Sequence, residues 1–157
     1  MKAPNHQKLD HFRRVCKAHK LSMTPQRMAI FKAVLSCDNH PHTEDVFNLV
    51  RASFPDISMD TVYRTLSTFS GLGLVHLVEG CGQPRRYDPI TEPHHHFRCK
   101  QCGTIVDFYD ETLNAIQTPT IIQDKYTVTG VKVTLEGLCD QCGQGASPEG
   151  SGRSKNS

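Results

Sequence analysis

The feature of the sequence that most constrains the fold is a set of four cysteines arranged as two Cys-x-x-Cys pairs. Cys99 and Cys102 form the first pair, Cys139 and Cys142 form the second, and 36 residues separate the two pairs. Each pair brings two thiolates to one tight turn, and two such turns can complete a tetrahedral zinc site with four cysteine ligands. The separation exceeds that of an ordinary zinc ribbon, so the intervening segment must contain secondary structure. We therefore predict a structural Zn²⁺ site at these cysteines.

The histidines form a second group of candidate metal ligands, because they cluster along the chain. His94, His95 and His96 are consecutive and no histidine follows them, while His40 and His42 form a smaller cluster. In an extended segment alternate side chains point to opposite sides, so His94 and His96 would share one side. This alternation predicts two ligands, with His95 as a bystander.

Charge is distributed unevenly along the chain. Residues 1–27 carry seven Lys/Arg and one acidic residue, a net charge of +6, whereas residues 28–157 carry eleven Lys/Arg and fifteen acids, a net charge of −4. A basic end on an acidic chain predicts one surface for a polyanion and another for cations. No apolar run approaches the ~18–20 residues of a membrane span, and the first residues lack a secretory core. We therefore expect a cytoplasmic protein with no membrane partner.

Four helices are expected in the first half of the chain. Residues 7–20 have the pattern of a basic amphipathic helix. Thr24, followed by a proline, suits the N-cap of the next helix, and further helices are expected from about Thr43 and after Ser58. The inward positions repeat at helical spacing and predict a core that contains Leu9, Phe12, Cys16, His19, Met28, Phe31, Val34, Leu35, Val46, Leu49, Val50, Val62, Leu66 and Phe69.

Two short strands, over residues 74–79 and 85–88, are expected after the fourth helix, which should end at Gly71 or Gly73. Helices followed by a β-hairpin make a winged helix, in which the last helix enters the major groove of DNA. The alternative is a small helical core with a surface hairpin. The basic end of the chain favours DNA, as does a polar face on the fourth helix that consists of Asp60, Tyr63, Arg64 and Ser67.

The sequence after the histidine cluster predicts a small sheet with little core, a deficit that zinc would offset. Short strands are expected around the first cysteine pair, and the alternation over residues 127–138 predicts a half-buried strand. Residues 109–118 are interpreted as a helix with Leu113 and Ile116 inward. Residues 144–157 have the composition of a disordered tail.

Together these motifs resemble the ferric uptake regulator family of dimeric, metal-dependent repressors. The matching segments cover about residues 8–143 in the family's order and are Thr24-Pro25-Gln26-Arg27, His40-Pro41, Asp60-Thr61-Val62-Tyr63-Arg64-Thr65-Leu66, Gly71-Leu72-Gly73-Leu74-Val75, His94-His95-His96-Phe97-Arg98-Cys99-Lys100-Gln101-Cys102-Gly103 and Cys139-x-x-Cys142. Each motif alone is weak, but the combination is specific.

The resemblance implies an α+β fold with two domains and a homodimer. Residues 1–88 would form an N-terminal winged-helix DNA-binding domain, residues 87–93 a hinge, residues 94–143 a small C-terminal α/β dimerisation domain with the four-cysteine zinc site, and residues 144–157 a tail. The partner would be double-stranded DNA with an inverted-repeat operator. Tyr63 and Arg64 would lie near the bases, whereas Arg27 and the basic first helix would hold phosphates.

The resemblance also implies a regulatory metal between the two domains. Its ligands, carried over by position, would be His40, Asp88, His94, His96 and Asp107. Three imidazoles and two carboxylates suit Fe²⁺ or Mn²⁺, and the absence of a thiolate weakens the case for zinc.

Two features favour the peroxide-sensing branch of the family. Asp88 stands where iron-sensing members commonly carry Glu, and no histidine follows His96 to build the further site of many iron and zinc sensors. In the peroxide-sensing branch, oxidation of His40 or His94 to 2-oxo-histidine would release the metal and then the DNA.

Three other functions remain open from the sequence. An iron-responsive repressor would use the same ligands to sense metal occupancy. A zinc hydrolase with His94 and His96 as ligands would lack an obvious general base, because no helical His-Glu-x-x-His motif is present. A thiol-disulfide oxidoreductase would use the Cys-x-x-Cys pairs. We expect a repressor and not an enzyme.

Overall fold

The computed structural model describes residues 5–38, 40–78, 84–90 and 92–143. The chain divides into two compact units, with the boundary between Glu92 and Pro93. Most of the predicted hairpin turn and the predicted tail over residues 144–157 lie outside the described residues.

Four helices make up most of the first unit: α1 (Asn5–Ala18), α2 (Pro25–Ser36), α3 (Thr43–Arg51) and α4 (Met59–Gly71). Two of them begin at the predicted caps. The Thr24 hydroxyl accepts a hydrogen bond from the Arg27 N–H at 3.2 Å, and the Ser58 hydroxyl accepts one from the Thr61 N–H at 3.1 Å. Each cap satisfies a helix donor that would otherwise lack an acceptor. Among the described residues, no helix is long and apolar enough to cross a membrane.

The core of the first unit contains three phenylalanines from three helices. Phe12 of α1 stacks on Phe31 of α2 with ring centroids 4.4 Å apart. Phe69 of α4 packs edge-on against both rings, at 5.3 and 5.8 Å. Each such pair contributes about 0.5–1.5 kcal/mol beyond simple burial. The predicted inward positions are confirmed at these three residues.

The predicted core is wrong at His19, which lies beyond the end of α1 and is exposed, and at one position of α3. Val46 and Val50, four residues apart, anchor this helix and are buried, whereas Leu49 is 49% exposed. Leu49 flanks the buried stripe at its solvent edge, and helical spacing alone does not reveal where that edge lies. Ile30 of α2 is completely buried although the predicted stripe omits it.

A β-hairpin follows α4 and completes the winged helix. Gly73 has a φ of +70°, the left-handed conformation that glycine adopts without strain, and so reverses the chain after α4. β1 (His76–Val78) and β2 (Arg86–Asp88) then pair antiparallel, with Leu77 opposite Tyr87. Both strands are shorter than predicted.

The connection between α2 and α3 is hydrogen-bonded to β2. The Tyr87 N–H donates to the Pro41 carbonyl at 3.0 Å, and His42 forms an isolated β-bridge with Arg86. The Arg86 side chain donates to the His40 carbonyl at 3.4 Å. β2 is therefore tied to the segment that begins α3 as well as to its hairpin partner.

The second unit contains a three-stranded sheet with the strand order β4-β3-β5, made of β3 (His95–Cys99), β4 (Ile105–Phe108) and β5 (Thr134–Gly137). β3 pairs antiparallel with β4 and parallel with β5. The parallel pairing places Cys99 at the end of β3 beside Gly137 at the end of β5. Both cysteine pairs therefore lie at the same end of the sheet, where these two strands finish.

Two predictions for the second unit are wrong in extent. In place of one helix over residues 109–118, the structure has the short helices α5 (Glu111–Asn114) and α6 (Thr120–Gln123), and Ile116 is 46% exposed. The strand predicted over residues 127–138 is reduced to β5, in which Leu135 is half exposed. A last short helix, α7 (Asp140–Gly143), follows.

The apolar core of the second unit is thin. Among its described residues, Cys99 and Ile105 are the only buried apolar side chains, while Val106, Tyr126 and Leu138 are each at least 48% exposed. Burial of apolar area is the main favourable term in folding, so a unit with this little burial needs another source of stability. Metal binding is one such source, and cover from a second subunit is another.

The exposure of Leu49 leads to a test on two leucines of the first unit. Leu66→Ala removes a completely buried side chain of α4 and should lower the free energy of unfolding by about 2–5 kcal/mol. Leu49→Ala makes the same chemical change at the exposed position and should cost less than about 1 kcal/mol. Denaturant unfolding followed by helical circular dichroism measures both. Equal losses would show that Leu49 belongs to the core.

Candidate metal centres

The four cysteine sulfurs lie close together where β3 and β5 end, at one end of the second unit's sheet. The Sγ atoms of Cys99, Cys102, Cys139 and Cys142 are all within 4.8 Å of one another, and those of Cys102 and Cys139 are 3.6 Å apart. Sulfurs at about 2.3 Å from one tetrahedral zinc lie about 3.8 Å from each other, so the cluster has nearly the spacing that zinc requires.

The backbone around the cysteines explains how the cluster forms. Gly103 has a φ of +72° and its N–H donates to the Cys99 carbonyl at 3.0 Å, which closes the turn that carries Cys102. The Gly143 N–H donates to the Cys139 carbonyl at 2.7 Å and closes the second turn in the same way. At Gly137 a Cβ atom would lie 3.3 Å from the Phe97 ring, a close contact that would displace the ring by a few tenths of an ångström.

The protonation of the thiols shows why the cluster requires a cation. Hydrogen bonds from the backbone N–H groups of Cys102 and Cys139 lower the pKa of the Cys99 thiol to about 6. In contrast, the hydrogen bond with the Cys139 side chain, together with burial, raises the pKa of the Cys142 thiol to about 12. Thiolates packed this closely repel one another, so all four ionise together only when a cation neutralises them. The donor set and its spacing fit Zn²⁺.

A second cluster of donors lies in the same unit, on β3, on β4 and at the residue that precedes β3. His96 is opposite Asp107 in the antiparallel register, and its Nε2 lies 3.5 Å from Oδ1 of Asp107. The Nε2 atoms of His94 and His96 face each other at 3.1 Å. Ring nitrogens bound to one ion at about 2.1 Å with a 90° angle lie about 3.0 Å apart, so this pair has metal-ligand spacing.

His95 points away from this cluster. Its Nδ1 accepts a hydrogen bond from the Val133 N–H at 3.3 Å, and its ring packs 5.6 Å from the ring of Phe108. The predicted alternation of the three histidines is therefore observed in the strand. His95 is completely buried and joins β3 to the segment that enters β5.

The other two predicted ligands of the regulatory metal lie together in the first unit. Nε2 of His40 lies 3.8 Å from Oδ2 of Asp88, and both residues are buried. Oδ1 of Asp88 accepts a hydrogen bond from the Ile90 N–H at 2.8 Å, which orients the carboxylate. Each unit therefore contains part of the predicted donor set, and none of these donors is a thiolate.

Of the residues predicted to contact DNA, Tyr63 and Arg64 are exposed and Arg27 is half-buried. Tyr63 and Arg64 are exposed on α4, where the Arg64 side chain pairs with Asp60 at 2.8 Å. Arg27, at the start of α2, donates to the Ser22 carbonyl at 2.6 Å. The sequence did not reveal that Arg85 contacts Tyr63, because the two are 22 residues apart and share no periodic pattern.

The fold and the clusters define a class of protein. A winged helix in the same chain as a four-cysteine cluster and a His/Asp cluster is the composition of a metal-dependent transcription regulator. The chain belongs to the ferric uptake regulator family, because the sequence model of that family matches residues 18–136. The family consists of transcription regulators that bind operator DNA as dimers and use zinc, iron or manganese. The protein is accordingly a metal-binding and DNA-binding regulator.

Individual relatives agree with this assignment. The peroxide-responsive repressor PerR of Staphylococcus aureus (strain Mu50 / ATCC 700699) is 33% identical over 122 residues, which cover 78% of this chain and 82% of the relative. The Campylobacter jejuni peroxide stress regulator superposes with a TM-score of 0.65 at 30% identity, covering 82% of this chain and 97% of that one. The Helicobacter pylori ferric uptake regulator Fur, for which three functional metal-binding sites are described, superposes with a TM-score of 0.75 at 20% identity, covering 95% of this chain and 99% of that one.

The cysteine cluster leads to a prediction about zinc content. Cys142→Ser removes one of four ligands and should make the bound zinc extractable by EDTA, because a three-thiolate site binds zinc more weakly. Cys37→Ser, a thiol at the end of α2 and outside the cluster, is the matched control and should keep about one zinc per chain. Mass spectrometry of metals after dialysis measures both. Zinc retained equally by the two variants would contradict the assignment.

Proposed function

We propose that this regulator is a dimeric repressor that senses hydrogen peroxide by oxidation of a metal-bound histidine and then releases its operator. The observation that carries the proposal is the thiolate-free donor set, in which imidazoles and carboxylates have metal-ligand spacing. Such ligands suit Fe²⁺ or Mn²⁺. The relatives at 33% and 30% identity named as peroxide regulators support the same choice.

The proposed regulatory site combines the donors of both units. His40 and Asp88 would bind the ion from the DNA-binding unit, and His94, His96 and Asp107 would bind it from the other unit. Five donors leave room in an octahedral site for one further ligand. Oδ1 of Asp88 accepts the Ile90 N–H, so Oδ2 would be the oxygen that binds the ion.

The sensing step would consume a side chain of the protein itself. Bound Fe²⁺ would supply the first electron that cleaves the O–O bond of H₂O₂ and would regain it from the imidazole, so that the imidazole is the net two-electron reductant. In the net reaction one oxygen atom adds to C2 of an imidazole, His40 or His94, and the other leaves as water. The 2-oxo ring carries hydrogen on both nitrogens, so it no longer has a lone pair in the ring plane to offer a metal. Because each reaction with H₂O₂ would consume one histidine of the protein, the protein would act as a sensor and not as an enzyme.

Loss of the metal would change DNA affinity through the angle between the two units. An ion held by both units favours one angle and shifts the population towards it. In a homodimer that angle sets the distance between two copies of α4, which must match half-sites of an inverted repeat about 34 Å apart. Tyr63 and Arg64 would contact bases and Arg27 would hold phosphate. We place this activity in the cytoplasm, with the DNA.

The experiment that tests peroxide sensing is a mass measurement on the oxidised protein. Anaerobic protein loaded with Fe²⁺ and treated with dilute H₂O₂ should gain one oxygen, about +16 Da, on the peptide that contains His40 or His94, in parallel with loss of DNA binding. Protein loaded with Mn²⁺ is the matched control and should gain much less, because Mn²⁺ gives up an electron less readily. Release of DNA with no oxidised histidine would contradict peroxide sensing and leave an iron-responsive repressor that senses occupancy.

A further inference from the structure

One arginine of the hairpin holds the exposed tyrosine of α4. Nη1 of Arg85 donates a hydrogen bond to the Tyr63 hydroxyl at 2.9 Å. The guanidinium carbon also lies 5.7 Å from the centroid of the Tyr63 ring, within the range of a cation–π interaction. A single guanidinium group therefore contacts both the hydroxyl and the ring of the same side chain.

We propose that Arg85 is a positioning residue that sets DNA sequence preference by holding the Tyr63 ring in one orientation. The proposal rests on the proposed role of Tyr63 at the bases. Tyr63 is 40% exposed in this arrangement, so the ring remains accessible to a ligand while its hydroxyl is held. Arg85 itself need not contact a base for this effect.

The physical reason is the cost of ordering a surface side chain. An exposed tyrosine on a helix samples several rotamers, and immobilising such a side chain on binding costs conformational entropy. A contact that already selects one rotamer in the free protein removes this cost from the binding step. The contact also removes orientations of the Tyr63 ring that would suit other base sequences. It therefore increases the difference in affinity between the preferred DNA sequence and other sequences.

Arg85 can serve this role because its backbone is held in place. Its carbonyl oxygen lies 3.3 Å from Nδ1 of His42 at the start of α3, and the next residue, Arg86, forms the β-bridge with His42. The guanidinium therefore extends from a segment tied to α3 and reaches across to α4. A lysine could replace the charge but not the planar group that contacts hydroxyl and ring together.

The surrounding charges favour the same arrangement. Tyr63 and Arg85 line a groove of about 540 Å³ between the first turns of α3 and α4, together with the carboxylates of Glu44, Asp45 and Asp60. These acids attract a guanidinium group and would repel the phosphates of DNA. Arg85 thus contributes a positive charge to a groove lined by three acidic residues, of which Asp60 also pairs with Arg64.

The test is a double-mutant cycle on binding to a duplex enriched by the wild-type protein. Full-length, zinc-containing, Mn²⁺-loaded protein first selects a sequence from random 30-base-pair DNA. Affinities for this duplex and for a scrambled one are then measured by fluorescence anisotropy. Arg85→Ala and Tyr63→Phe should each weaken binding to the selected duplex about three- to tenfold and change binding to the scrambled duplex less than about twofold. The double variant should bind no more weakly than the weaker single variant.

Two control variants separate positioning from a simple loss of charge. Arg51→Ala removes an arginine of the same unit that stacks on Phe47, 5.8 Å from its ring, and should leave sequence preference unchanged. Arg85→Lys keeps the charge and should still show reduced preference. The slope of log affinity against log salt should be the same for Arg85→Ala and wild type.

Other outcomes would overturn the inference. If Arg85 were only a phosphate contact, Arg85→Ala would weaken both duplexes equally, reduce the salt slope by about 0.9, and be rescued by lysine. Losses that multiply in the double variant would show that Arg85 and Tyr63 act independently. If wild-type protein enriched no sequence at all, the proposed repressor function itself would be contradicted. The other outcomes contradict only the role of Arg85, so the two failures are distinguishable.

Discussion

Repulsion among closely packed donor groups is the interaction on which this structure depends. Four cysteine sulfurs lie within 4.8 Å of one another in a unit whose described residues bury almost no apolar side chains. Thiolates this close repel one another, so all four cysteines ionise only when a divalent cation replaces the thiol protons, and the binding free energy then contributes to folding. Zinc bound at these cysteines would therefore take the place of a hydrophobic core in the second unit, whose small sheet also holds the buried His94 and His96 beside Asp107.

β2 connects the candidate metal ligands of the first unit to the surface proposed to read DNA. Asp88 is its last residue, and its neighbour Tyr87 is hydrogen-bonded to the segment that contains His40. At the other end, Arg85 precedes the strand and contacts Tyr63 on α4. A strand of only three residues thus links a candidate metal ligand to the residue that orients a candidate base contact.

The parts of this fold that could be predicted are those that near neighbours determine. The caps at Thr24 and Ser58 and the alternation of the three histidines depend on a few adjacent residues, and the structure shows them as expected. Leu49, Ile116 and Leu135 are more exposed than predicted because burial depends on which element packs against them, and no local pattern contains that information. The contact of Arg85 with Tyr63 is missed for the same reason. The candidate ligands were found from their residue types together with the resemblance to the family, since spacing alone does not relate His40 to His94.

The central claim is that one divalent ion, held by ligands of both units, controls DNA affinity. The most direct test compares operator affinity of protein that keeps its zinc but lacks the regulatory metal with that of the same protein reconstituted with Mn²⁺. The account predicts that reconstitution strengthens binding by about tenfold or more, within the usual range of coupling between two sites. The same Kd with and without the ion would contradict it.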